Sequence, residues 1–230
     1  MIRYRHNFVL DSQLITRRGF MAYFPMFVDL TEANCLVVGG GEVARRKINV
    51  LLDFGARVHV IAKEISMEIA ALSEETDHLL LEQREFTPFD LQERKLVVVA
   101  TNDNELNEQI SMMCKEGAIP VNVVDDKEKC TFIFPSYIKE QNLVGAFSSG
   151  GNSPALTQYL RNREKEILTP HLGELNEMLG RWRGPIAELF PLESSRKSAF
   201  EQLIDYALCY EGIPSDEEVE ELLGAISMTL

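Results

Sequence analysis

Gly39, Gly41 and Ala44 are spaced G-x-G-x-x-A. They directly follow the apolar run Cys35-Leu36-Val37-Val38 and open the helix-like stretch Glu42-Val43-Ala44-Arg45-Arg46-Lys47. Strand, glycine turn and helix in that order form a cradle for a pyrophosphate. The first glycine allows the tight turn. At the second, a Cβ would collide with the ligand. The small third residue lets the helix lie close on the sheet. Free N–H groups at the positive end of the helix dipole then meet the phosphates.

The other strand ends supply the remaining candidates, because ligands of an open α/β sheet bind beyond the carboxyl ends of its strands. These ends are Ala62-Lys63-Glu64, Thr101-Asn102-Asp103 and Asp125-Asp126. An acidic residue at the second strand's tip binds ribose hydroxyls in NAD sites. Glu64 fits that role one or two residues late, whereas Lys63 would suit the 2′-phosphate of NADP; NAD is the favoured reading. Asp125 follows Asn122-Val123-Val124 and is expected at the nicotinamide end. A carboxylate there can take a proton, orient the substrate or hold a cation. Asp126 is the same chemical type next door, and spacing does not separate the two. The loop Ser148-Ser149-Gly150-Gly151-Asn152-Ser153, ahead of Pro154, is a plausible anion cradle at a helix start, although capping explains part of it. His171 is a metal ligand or base only as the minor reading. His6, His59 and His78 do not cluster with Cys or Asp, so no dedicated metal site is expected.

Alternating elements must position these residues. Strands are expected over 34–38, 58–61, 79–81 (onward to Arg84), 96–100 and 121–124. Helices are expected over 42–54, 65–72 and 104–115, the last with a capping box from Asn102 and Glu105. This order implies a parallel sheet with right-handed crossovers. The texture then changes. Thr131–Phe134 and Leu143–Phe147 read as strands joined by a polar turn, a helix runs from Pro154 to about Leu168, and the rest reads helical. Breaks are expected near Gly184-Pro185, Pro191 and Gly212-Ile213-Pro214. The acidic run 216–221 reads as the solvated face of a final helix.

The 230 residues suit one large or two small domains. The net charge of −13 argues against nonspecific nucleic-acid binding. Four cysteines without C-x-x-C spacing suggest neither a zinc site nor a redox pair; Cys35 and Cys114 fall in expected core segments, as reduced, buried thiols of a cytoplasmic protein would. No apolar run reaches the ~20 residues that cross a bilayer. Thr16-Arg17-Arg18-Gly19-Phe20 has the look of a twin-arginine signal, but its short apolar stretch holds Pro25, and export is rejected.

Taken together, Val37–Lys47, Ala100–Asp103, Asn122–Asp125, Phe132–Ser136 and Ser148–Pro154 resemble, in this order, the dehydrogenase–ferrochelatase module of siroheme synthase, the precorrin-2 dehydrogenase family. The resemblance covers about 24–175 well. It implies a Rossmann-like parallel sheet domain, a small α+β dimerisation region and a C-terminal helical region in an α/β homodimer. The corresponding boundaries are 24–134, 135–168 and 169–230, with 1–23 a poorly structured extension. It implies NAD-dependent oxidation of precorrin-2 to sirohydrochlorin, with Fe²⁺ insertion to siroheme in some members, iron then being a substrate. Residue by residue it assigns the key carboxylate to Asp125. It maps cofactor contacts onto Glu42, Val43, Lys63 and Glu64 and a substrate contact onto Ser149; the glycine turn and strand ends add Gly39, Gly41, Thr101 and Asn102 to the expected cofactor set, and the loop adds Gly150 and Asn152 to the substrate set. An open cleft between domains or subunits is expected for so large a substrate. The methyltransferase module of fused siroheme synthases is not in this sequence, so precorrin-2 is expected from another protein. The alternative is a non-catalytic NAD-binding regulatory module, which leaves the N-x-x-D segment and the Ser148–Pro154 loop unexplained.

Overall fold

Runs of Val, Leu and Ile, buried on both faces, are what a parallel sheet requires. The computed structural model describes residues 23–210 and 212–228, so the extension expected over 1–23 lies almost wholly outside the described residues. The chain divides into two units, the first ending at Phe134 and the second beginning at Pro135.

In the first unit the strands are β1 (Asn34–Val38), β2 (Arg57–Ala62), β3 (Leu79–Gln83), β4 (Leu96–Val99) and β5 (Val121–Val123). They pair in parallel in the order β3-β2-β1-β4-β5. Residues of β1 alternate between two cores. Cys35 and Val37 pack with Ala44, Ile48 and Leu51 of helix α1 (Glu42–Asp53) and Ile69 of α2 (Met67–Glu75). Leu36 and Val38 pack with Ile110 and Cys114 of α3 (Asn104–Glu116). Helices on both faces make the sheet doubly wound, and the strand order reverses between β1 and β4. Cys35 and Cys114 are buried free thiols, each pushed up to about 11 by burial, and so are chemically quiet.

Three local expectations are corrected. Helix α2 starts at Met67, not Ile65, because the Ser66 hydroxyl caps it by accepting from the Ile69 N–H. The cap of α3 is Asp103, not Asn102: its carboxylate accepts from the N–H groups of Glu105 and Leu106 at 3.1 and 3.0 Å. Thr131–Phe134 is not a strand. Isolated bonds tie it beside β5, from the Thr131 N–H to the Val121 carbonyl and from Asn122 Nδ2 to the Phe132 carbonyl. Phe132 and Phe134 pack into the core instead.

A 3₁₀ turn over Pro88–Leu91 leads into β4. Its Asp90 is buried and accepts two bonds from Arg84, at 2.8 and 2.6 Å, and one from the Thr87 N–H at 2.7 Å. Burial pushes the Asp90 acid up, but the Arg84 and Thr87 bonds outweigh it and hold the acid at about 2. A folded value below the ordinary ~3.9 gives stability that is complete above about pH 4 and lost as pH falls toward about 2. Asp90→Asn is therefore expected to cost about 2 kcal/mol near neutrality and to flatten the acid limb between those values. Urea unfolding across pH checks this; an unchanged acid limb assigns it to other carboxylates.

In the second unit, β6 (Ser136–Glu140) and β7 (Leu143–Phe147) form an antiparallel hairpin around Gln141-Asn142. The first hairpin strand thus lies after Pro135. Helix α4 (Pro154–Glu164) packs on the hairpin and ends before the expected Leu168. Helices α5 (Pro170–Leu189), α6 (Glu193–Cys209) and α7 (Asp216–Ser227) share one core. The expected break at Gly184-Pro185 does not occur, since α5 runs through Pro185. Leu175, Met178, Ile186 and Phe190 are buried along one face of that segment. Their burial, at ~1.5–3 kcal/mol each, outweighs the ~3 kcal/mol of an internal proline. Among the described residues no helix is long and apolar enough to cross a membrane.

Candidate functional site

A groove of about 950 Å³ lies along the carboxyl ends of β1, β2, β3 and β4. Gly39, Gly41, Glu42, Val43, Lys63, Glu64, Thr101 and Asn102 all line it. The turn Gly39–Gly41 explains its floor. Gly39 has φ +125°, and a Cβ there would sit 2.3 Å from the Ala100 carbonyl oxygen. A Cβ on Gly40 would sit 2.1 Å from the Glu64 carbonyl oxygen. These two glycines are required by the fold itself. A Cβ on Gly41 would meet nothing within 4 Å and would point into open space. Gly41 is also the N-cap of α1, and no side chain caps the helix. Its leading N–H groups thus face the groove with the dipole behind them, which fits a pyrophosphate.

Electrostatics around the groove are mostly internal. The bonds from Arg45 and Arg46 hold the Glu42 carboxyl down at about 2. Lys63 pairs with Glu85 at 2.9 Å, and that bond raises the lysine above its ordinary value. The Thr101 hydroxyl donates to Asn107 Oδ1 at 2.6 Å, so its first task is to anchor the start of α3. Asn102 is exposed on the groove wall.

Asp125 lies just beyond β5, exposed, with φ +60°, a conformation Asp tolerates better than most residues. It is not among the groove-lining residues. The structure distinguishes it from Asp126, which is bound to Lys129 at 3.0 Å and held below the ordinary carboxylate range by that bond. Asp125 makes no ion pair or hydrogen bond among the described residues. Its charge reaches Lys47, whose Nζ sits 4.0 Å over the Phe134 ring. Burial lowers the Lys47 ammonium and Asp125 partly offsets this.

In the second unit the Ser148–Ser153 loop turns through Gly150 and Gly151 at φ +64° and +85°. Ser149 Oγ accepts from the Ser153 N–H at 2.9 Å, and Ser153 Oγ caps α4 by accepting from Leu156. The Ser149 hydroxyl proton is not spent on any described residue. Asn152 is exposed beside it. His171 is half-buried at the start of α5, its Nε2 without a hydrogen-bond partner. No group of three or more His, Cys, Asp or Glu among the described residues could hold a metal ion.

Sequence reasoning missed Arg84, Glu85 and Phe86, all on the groove wall. All three follow β3, a strand whose end carries no motif. The register of β3 against β2, with Gln83 opposite Ala62, places them beside Lys63.

Residues 26–136 match the family described as "Putative NAD(P)-binding". The chain is similar to the siroheme synthase of Nitrosomonas europaea, 39% identical over 184 residues, covering 80% of this chain and 39% of that protein. It is also similar to that of Zymomonas mobilis, 38% identical over 201 residues, covering 87% of this chain and 42% of that protein. The solved structure of SirC, precorrin-2 dehydrogenase, matches with a TM-score of 0.73 and 25% identity, over 90% of this chain and all of that one. The chain is thus similar to siroheme synthases in sequence and to a precorrin-2 dehydrogenase in structure. It spans about two fifths of the length of the curated siroheme synthases it matches. The doubly wound sheet and the glycine turn both fall within the residues matched by the NAD(P)-binding family.

Proposed function

We propose that this chain oxidises precorrin-2 to sirohydrochlorin with NAD⁺ as the hydride acceptor, acting as a cytoplasmic homodimer. The observation that supports it most is the open Gly41 face at an uncapped helix start, in a chain whose relatives are siroheme synthases. When bound, the dinucleotide supplies the nicotinamide ring that takes the hydride. This chain's residues do the rest. The amides at the start of α1 hold the pyrophosphate, and Glu64 accepts from the ribose hydroxyls. Thr101 and Asn102 form the groove wall at the end of β4. Asp125 accepts the proton that leaves the substrate as the hydride departs, so two electrons and two hydrogens are accounted for. In the second unit the Ser149 hydroxyl donates to a substrate carboxylate, beside Gly150 and Asn152. The exposed Leu156, Tyr159 and Leu160 of α4 support self-association.

The test is anaerobic incubation with precorrin-2 and NAD⁺, followed by Fe²⁺, with absorbance read at each stage. Reduced nicotinamide is expected to appear as the tetrapyrrole spectrum changes. NAD⁺ binding without turnover would return the chain to the regulatory-module reading. A further spectral change on adding Fe²⁺ would extend the activity to chelation, with iron as substrate.

A further inference from the structure

Four charged residues line the groove where β2 and β3 end: Lys63, Glu64, Arg84 and Glu85. Both cations are already committed. Lys63 Nζ is 2.9 Å from Glu85 Oε1. Arg84 spans Asp90, at 2.6 Å, and Glu82. Glu64 makes no ion pair among the described residues. Asp103, at the end of β4, adds a further negative charge that Lys63 feels. The cations in the first turns of α1, Arg45 and Arg46, are occupied by Glu42. A 2′-hydroxyl finds an acceptor in Glu64. A 2′-phosphate, carrying nearly two negative charges, finds carboxylates and no free cation.

Resting on the dinucleotide reading above, we propose that Glu85 sets cofactor choice: by holding Lys63, it withdraws the one groove lysine that a 2′-phosphate could use, and so selects the 2′-hydroxyl dinucleotide. The pair is exposed on both sides, at 70% and 76%, so its contribution to stability is slight and its place in the fold does not explain it. Its effect falls on the ligand, because removing the carboxylate both deletes a repulsion and frees the Lys63 ammonium on the groove wall. Charge-pair effects of this kind change affinity by about tenfold.

The experiment is direct titration of the purified full chain with NAD⁺ and NADP⁺, followed by intrinsic fluorescence or calorimetry. The unaltered chain is expected to prefer NAD⁺ by at least about tenfold. In Glu85→Gln the ratio of the two dissociation constants is expected to fall by about tenfold. Adding Lys63→Ala to Glu85→Gln is expected to reverse most of that fall. Equal affinities in the unaltered chain, or an unmoved ratio in Glu85→Gln, would overturn the proposal while leaving the dinucleotide site intact. A ratio that stays lowered in the double variant would also overturn it, since Lys63 is then not the group released. Binding of neither dinucleotide to the unaltered chain would sink the underlying reading and this one with it.

Discussion

Replacing Asp125 with asparagine is expected to lower precorrin-2 oxidation by 10²- to 10⁴-fold, the range spanned by a positioned proton acceptor, while the dissociation constant for NAD⁺ moves by less than about threefold. Asparagine keeps the shape and tolerates the left-handed backbone at φ +60°, so the fold gives no reason for loss. What disappears is the charge and the capacity to take a proton. Asp125 lies outside the groove lining, so dinucleotide affinity has no reason to follow. The matched control is Asp126→Asn, which removes the neighbouring carboxylate that Lys129 already holds. Its effect on turnover is expected to stay within a few-fold. Single-turnover kinetics, with NAD⁺ titrated separately, separate the two variants. Full turnover in Asp125→Asn would take that carboxylate out of the chemistry. Equal losses in both variants would point instead to a disturbed loop.

That distinction between adjacent aspartates shows where the sequence stops being informative. Both residues read alike as letters, and the difference arises from a 3₁₀ turn over Lys127–Lys129 that brings Lys129 back onto Asp126. The glycine turn was legible because its signal is local: strand, turn and helix are contiguous, even though the backbone that Gly39 and Gly40 must clear, at Ala100 and Glu64, is remote in sequence. The β3 end was not legible. Arg84, Glu85 and Phe86 join the groove only through the register of β3 on β2, a pairing of segments about twenty residues apart. The strand over Thr131–Phe134 was misread for a related reason. Two phenylalanines alternate there as in a strand, yet their rings, 5.3 Å apart, are used to cover the core beside α1. Pro185 was overweighted because the sequence shows the cost of an internal proline but not the buried face that offsets it.

The three consecutive glycines give the other large effect, and they separate structure from binding. Gly41→Val is expected to weaken NAD⁺ by about a hundredfold or more, worth ~2.7 kcal/mol, with thermal stability nearly unchanged. A Cβ at this position meets no protein atom within 4 Å and points into open space, so the folded chain is expected to have room for the side chain. Its space is the one the pyrophosphate needs in order to approach the uncapped start of α1. Gly40→Ala is expected to behave in the opposite manner. Its Cβ would lie 2.1 Å from the Glu64 carbonyl oxygen and 2.9 Å from Ile65 Cα, so backbone must shift. Overpacking of this kind costs about 1–3 kcal/mol, and the fold is expected to lose that stability even without ligand. Gly39→Ala would add a left-handed φ of +125° to a 2.3 Å clash and is expected to fold worst of the three. Melting curves with and without NAD⁺ read both quantities at once: Gly41→Val should lose the ligand-induced rise in melting temperature while keeping the ligand-free value. An intact rise in Gly41→Val would show that the phosphates rest elsewhere, because no dinucleotide could pass that side chain to reach the helix start.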